Sequence, residues 1–352
     1  MPTIEHDKIK IKKESLVNVS LEMWHYFLTS CSVQSYLEVR QWLNVRNASQ
    51  GALEAANHSR HDENRRNHIP GTSEWIFHMA EFQDWARTSS NSPVLWLSGD
   101  PGAGKSVLCS RVIQYIQATD PSAAVAFHFF RFDQQSFTIE VLRVIASQLL
   151  ESLWESTKEI PDAVLCLMQK SGNNVNNVVD MMEAITSSHA LPRAFLFIDG
   201  LDEELTERRW DAAQETLDKL IYLATSDSKK AVRLWLSSQS HDRISKQMKP
   251  FSRICLLDQN EADLRLFFAK SLPELGDIDT TEEEKDNWLG ILRDKAKGNF
   301  LWARFMIEDL VGKAESVADI ESLINNSLPI DINQYYRRQF KRIPISSRDL
   351  AR

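Results

Sequence analysis

Much of what this sequence does is bounded by what it lacks. No run approaches 18 apolar residues, so no membrane-spanning helix is expected. The opening stretch, MPTIEHDKIKIKKESL, carries charge but no apolar signal core. There is no basic excess: 41 Lys and Arg stand against 49 Asp and Glu, a net charge of −8. That argues against a nucleic-acid binder held by a broad basic face. The four cysteines, Cys31, Cys109, Cys166 and Cys255, form no CxxC pair, so neither a zinc ribbon nor a dithiol redox site is suggested. Scattered, mostly apolar-flanked thiols fit a reduced, cytoplasmic protein. The sequence shows no internal repeat and no low-complexity tract.

What is present reads as an ordinary soluble globular chain, 43% apolar and 26% charged. Its 352 residues suggest about two units. Residues 1–35 are unassigned, with KIKIKK at 8–13 read as a solvated edge. Residues 36–92 form a helical linker and lead-in segment. Within it, NHSRHDENRRNHIPGTSEW reads as a polar connector ending in a turn at Pro70-Gly71. His58, His61 and His68 fall in that connector, and no Cys or carboxylate cluster completes a metal site there.

From 93 to 258 apolar strand-length runs alternate with helical patterns. VLWLS, AAVAFHFF (123–130), AFLFI (194–198), VRLWLSS (232–238) and SRICLL (252–257) are the expected strands. This alternation predicts an α/β core with a five-stranded parallel sheet covered by helices on both faces. After 258 the strands stop, and 259–328 reads as a small helical domain. The ten tryptophans are scattered, as core and interface packing would have them.

The most informative stretch is LSGDPGAGKSVL. Gly99, Asp100, Pro101, Gly102, Ala103, Gly104, Lys105 and Ser106 match GxxxxGK[ST], with an apolar strand before and a helical pattern after. In such a loop the glycines let backbone N–H groups approach phosphate oxygens. The helix start adds its positive end, reaching through Val107. Lys105 would neutralise the β- and γ-phosphates, and Ser106 would offer its hydroxyl to Mg²⁺.

A nucleotide with Mg²⁺ also needs a carboxylate at a neighbouring strand tip, and AFLFIDGLDEE supplies Asp199. Gly200 stands where many hydrolytic relatives carry a water-orienting Glu. Asp202 and Glu203 follow, and either could take that role or cap the next helix. A third strand end, RLWLSSQS, offers Ser238 and Gln239 as γ-phosphate sensors.

These residues resemble the NACHT-type STAND nucleotide-binding proteins, in the fungal NOD-like-receptor branch, with a nephrocystin-3-like N-terminal NACHT domain. LWLSGDPGAGKSVL, FLFIDGLDE, GTSEW with FQDW, AFHFFRFD with LRVIASQLL, KGNFLWARFMIEDL and SLPIDINQYYRRQFKRI carry the likeness, across roughly residues 40–345. The resemblance implies an ASCE-type P-loop core, with the sensor strand between the phosphate-loop strand and the Asp199 strand. It implies ATP or ADP with Mg²⁺ as ligands, self-association or NOD-like-receptor partners, and a switch with slow hydrolysis in non-self recognition or programmed cell death. It places Gly71 and Thr72 near the adenine. It makes 329–352 the start of a winged-helix module cut short, so that the chain reads as a fragment, a truncated product or a short paralogue.

Two departures matter. Gln239 stands where many NACHT proteins carry Arg, and a neutral hydrogen bond is about half as strong as a charge-assisted one. Arg243, four residues on, is a possible substitute. The sequence thus leaves a second reading open, an interaction module that uses nucleotide structurally or not at all. A small-molecule kinase is a third, weakened by the lack of an Arg-rich lid. No NKxD-like element is found, which favours adenine over guanine.

Overall fold

Strands form where the chain is apolar on both faces. Val94–Ser98 (β1), Ala124–Phe129 (β2), Ala194–Asp199 (β3), Val232–Ser238 (β4) and Ser252–Cys255 (β5) make one sheet in the order β2-β3-β4-β1-β5, with every pair parallel. The three central strands are buried at every position, as parallel strands covered on both sides must be. β4 therefore lies between the strand feeding the phosphate loop and the strand ending in Asp199, the arrangement that defines the ASCE group. The computed structural model describes residues 32–43, 48–87, 92–131, 137–170, 172, 174–204, 210–226, 231–256, 259–272, 280–329, 332 and 334–337. The lysine-rich stretch 8–13 and most of the winged-helix region lie outside the described residues.

Helices cover both faces. On one face Leu95, Leu97, Phe195, Phe197 and Trp235 meet α4 (Lys105–Thr119) and Trp85 of α3 (Ala80–Ala86). On the other, Trp96, Ala126, Leu196 and Leu236 meet α5 (Thr138–Thr157), α7 (Val175–Thr186) and α8 (Trp210–Thr225). Between these run α6 (Asp162–Lys170) and α9 (Asp242–Met248), while α1 (32–43) stacks Tyr36 on Trp154. Past β5 a separate apolar cluster of Leu264, Phe268, Trp288, Leu292, Trp302, Met306 and Ile320 joins α10 (Asn260–Ser271), α11 (Glu282–Ala296), α12 (Phe300–Val311) and α13 (Val317–Ser322). Trp85, Trp235, Trp288 and Trp302 are fully buried, so these indoles are packing residues.

The polar connector is a correction. Most of it is helix: α2 runs from Ala48 to Asn67. Its inward stripe is Leu53, Asn57, His61 and Asn64, all buried at the i, i+4, i+8, i+11 spacing of one helix face. At Asn57 the stripe meets a strand edge. Asn57 donates to Phe127 O at 2.7 Å and accepts from Phe129 N at 2.9 Å. Gln148 of α5 donates to Phe127 O and accepts from Phe127 N, both at 3.0 Å. Two side-chain amides thus stand in for a neighbouring strand and close the free edge of β2.

His61 lies against Phe127 and Phe129, and burial pulls its pKa down to about 4. No cluster of His, Cys, Asp or Glu suited to a metal occurs among the described residues. Cys109 is buried and Cys166 half-buried, but Cys255, at the end of edge strand β5, is exposed and not a core thiol. β5 ends at Cys255, so Leu256 of its apolar run lies beyond it.

Candidate functional site

The phosphate-loop segment leaves β1 at the carboxyl end of the sheet and enters α4. Gly102 has φ 78°, and a Cβ there would lie 2.5 Å from Asn299 Oδ1 and 2.9 Å from Leu301 Cβ. Glycine is required both by the left-handed backbone and by the close approach of another segment. Lys105 and Ser106 form the first turn of α4. The Lys105 ammonium lies over the loop, donating to Gly99 O at 2.8 Å and Asp100 O at 3.0 Å.

β3 carries Asp199 to the same point. Ser106 Oγ donates to Asp199 Oδ2 at 2.6 Å, and Ser237 Oγ donates to Asp199 Oδ1. Asp199 is 3% exposed. Burial raises its pKa, while the two hydroxyls and Lys105 pull the other way. Beneath it, the buried Cys109 thiol is pushed well above its usual range by burial and by Asp199. A hydroxyl and a carboxylate converging beside a helix N-terminus are hard oxygen donors of the type Mg²⁺ takes. The residues present therefore fit a Mg²⁺–nucleotide, and the glycine loop supplies the cradle.

Gly200 explains the shifted acids. Its φ is 74°, and a Cβ would meet Phe130 O at 3.2 Å and Glu203 Cγ at 3.5 Å. A side chain at 200 is unfavourable, and Glu203 occupies the space beside it. The short 3-10 turn Leu201–Glu204 makes this possible, with Glu203 N bonded to Gly200 O at 2.9 Å. Asp202 faces elsewhere: its Oδ1 accepts from Gln239 N at 3.0 Å. Glu203 is half-buried, and its pKa is raised by burial and then by Asp202, with Lys105 opposing. The acidic pair, equivalent in the sequence, is thus divided between two positions.

The segment that carries the sensor candidates Ser238 and Gln239 is tied down by side chains beneath it. Trp96 Nε1 donates to Ser238 Oγ at 2.9 Å, and Ser238 Oγ donates to Gln239 O at 3.0 Å. Arg243 points away from the site, its guanidinium 5.7 Å from the centre of the Trp210 ring. Gly71 and Thr72 form a turn with the Thr72 hydroxyl donating to Ile69 O at 2.7 Å. Just beyond it, Ser73 N at 2.7 Å and Trp75 Nε1 at 3.0 Å both donate to Asp263 of α10.

The outer side of the loop belongs to the helical unit. Pro101 O accepts from Asn299 Nδ2 at 3.0 Å. Gly102 O accepts from Phe300 N at 2.9 Å and Leu301 N at 3.2 Å. Ala103 O accepts from the buried Asn260 Nδ2 at 2.8 Å, and the same amide reaches Gly298 O at 2.9 Å. Asn299 also caps α12, its Oδ1 accepting from Trp302 N at 2.9 Å. Three consecutive loop carbonyls are therefore held by α10 and the start of α12. Sequence reasoning missed Ser237, Asn260 and Asn299 as site residues. The one available signal was the Gly-Asn pair in KGNFLW, a helix stop followed by a helix start.

The chain is similar to several known proteins. Residues 71–239 match the family model described as Nephrocystin 3, N-terminal. Over 290 residues the chain is 22% identical to the vegetative incompatibility protein HET-E-1 of Podospora anserina, covering 76% of this chain and 20% of that protein. The chain has the α/β fold of a P-loop NTPase and is similar in sequence to that fungal incompatibility protein. It spans about a fifth of the length of that curated relative. Among solved structures, Drosophila ORC bound to DNA is 12% identical with a TM-score of 0.44, covering 88% of this chain and 69% of that one. AMPPCP-bound DnaA from Aquifex aeolicus is 13% identical with a TM-score of 0.38, covering 78% and 70%.

Proposed function

We propose that this P-loop NTPase is a NACHT-type switch that binds ATP or ADP with Mg²⁺ and reports the bound nucleotide to its helical unit. The observation that carries the reading is the double engagement of one loop. Its glycines and Lys105 face the phosphate side, while the carbonyls of Pro101, Gly102 and Ala103 are held by Asn299, α12 and Asn260. Backbone rotation that turns an N–H toward phosphate moves the carbonyl of the same peptide plane. Loop occupancy and helical-unit position are then one coupled equilibrium, provided ATP and ADP favour different states.

In this reading Ser106 and Asp199 hold Mg²⁺, which would neutralise phosphate charge. Lys105 leaves its own loop carbonyls to pair with the β- and γ-phosphates. Glu203, with its raised pKa, has the proton affinity to orient and deprotonate a water molecule. Asp202 holds the sensor backbone, and Gln239 offers a neutral amide to the γ-phosphate. Without a charge at 239, turnover is slow. Gly71 and Thr72 would border the adenine, next to the turn that Asp263 fixes. Self-association, cytoplasmic location and a role in non-self recognition, as the relative's name suggests, belong to the same proposal.

The neutral Gln239 and the self-bonded Lys105 also favour a second reading, a nucleotide-stabilised interaction module without turnover. A thermal melt with Mg²⁺ plus ADP or ATP, beside a Lys105→Ala control, tests binding. At 100 times Kd a bound nucleotide adds about 2.7 kcal/mol, roughly 4 °C for a chain of this size. A shift in the parent alone, different for the two nucleotides, supports the switch. Equal shifts with ADP and ATP would leave the module, and no shift would remove both nucleotide readings.

A further inference from the structure

A guanidinium on the edge strand braces the sensor segment. Arg253 of β5 donates from Nε to Ser98 Oγ at 2.8 Å and from Nη2 to Ser240 Oγ at 3.2 Å. Its guanidinium carbon lies 4.4 Å from the centre of the Trp96 ring. Trp96 in turn donates to Ser238 Oγ, which donates to Gln239 O. Ser98 is the last residue of β1 before Gly99, and Ser238 and Ser240 flank Gln239. Among the described residues no ion pair involves Arg253, so its planar fork is used on hydroxyls and an aromatic face. Such a fork and stack is a geometry that lysine does not reproduce.

We infer that Arg253 is a positioning residue for γ-phosphate sensing. Together with Trp96 it ties the start of the phosphate loop to the segment that carries Gln239, and so sets where the Gln239 amide points. The side chain at 239 is uncharged, so its contribution rests on geometry alone, and a rigid support matters more than it would for an arginine. Arg243, the other nearby cation, is turned onto Trp210 and does not brace this segment. The inference rests on the nucleotide-switch reading and assigns part of its γ-phosphate response to a residue outside the recognised motifs.

The test uses the full chain and two ligands, ADP and a non-hydrolysable ATP analogue, both with Mg²⁺, titrated by calorimetry. Arg253→Ala is expected to weaken the analogue by about tenfold, the worth of one to two neutral hydrogen bonds, and to leave ADP affinity within about twofold. Arg253→Lys should behave like the alanine variant. Combined with Gln239→Ala it should add nothing further, because both changes remove one sensing unit. If Arg253→Ala fails to fold, Ser240→Ala removes one of the two hydroxyl anchors from an exposed position and should shift the same ratio in the same direction by less. Equal loss of both ligands, full rescue by lysine, or additive loss in the double variant would each overturn the positioning role. A parent that binds neither nucleotide would instead overturn the switch reading on which it rests.

Discussion

On one side, Gly99–Ser106 meets charge: Lys105, Asp199 and, one turn away, Glu203. On the other it meets neutral amides, Asn260 and Asn299, and the backbone of α12. The first side is costly in isolation. Asp199 is a buried carboxylate whose pKa burial raises, steadied only by two serine hydroxyls and Lys105. The second side is satisfied as it stands, each loop carbonyl matched by an N–H donor. The difference teaches that the charged face is built for something it must bind, whereas the neutral face is built to hold position.

The largest effect should come from Lys105→Ala. Removing the cation proposed to pair with phosphate is expected to lower nucleotide affinity by about a hundredfold or more. The same change should cost free protein about 1–2 kcal/mol, because Lys105 bonds its own loop and steadies Asp199. Calorimetric titration and a denaturant melt read the two numbers separately.

Asp199→Asn sharpens the contrast further. Loss of the carboxylate should remove the Mg²⁺-dependent part of nucleotide affinity, about tenfold. Yet the free variant should melt at the same temperature or higher, because a buried charge disappears. Its pH dependence follows from the sign of the shift. A raised folded pKa gives Asp199 a stabilising contribution that is present below the unfolded value and lost as pH rises through the folded one. Denaturant melts across the acid range should show that slope in the parent and a flatter one in the variant.

Much of the sheet was legible because its signal is local. A fully buried parallel strand must be apolar on both faces, so AFLFI and VRLWLSS declared themselves, and the strand–glycine loop–helix order at 94–119 was legible too. α2 was not legible. Its buried face carries Asn57, His61 and Asn64, and Asn57 bonds a strand edge some 70 residues away in sequence. Asp202 and Glu203 were legible only as a pair. What separates them is the left-handed backbone at Gly200, whose glycine the sequence shows, and the reach of Gln239 N, which it does not. Asn260 and Asn299 were hidden for the same reason. An asparagine at a helix start reads as a cap, and Asn299 is one, but its second bond to Pro101 O exists only in three dimensions.

On the neutral side the effects are smaller and fall on different observables. Asn260→Ala orphans the carbonyls of Ala103 and Gly298 in a buried place, at a cost of about 1–3 kcal/mol. Nucleotide affinity should change little, but the helical unit should lose its response to nucleotide. Asn299→Ala removes a cap and one loop bond, about 1 kcal/mol. Limited proteolysis between α10 and α12, with and without nucleotide, distinguishes lost stability from lost coupling. A large drop in nucleotide affinity in either variant would erase the distinction between the two faces.

The most direct measurement is amide hydrogen exchange of the full chain with Mg²⁺ and ADP, with Mg²⁺ and a non-hydrolysable ATP analogue, and with neither. The account predicts that nucleotide slows exchange in the loop, residues 99–106, and also at the starts of α10 and α12, with different patterns for the two nucleotides and none in Lys105→Ala. Slowed exchange confined to the loop, with α10 and α12 unchanged under both nucleotides, would contradict it.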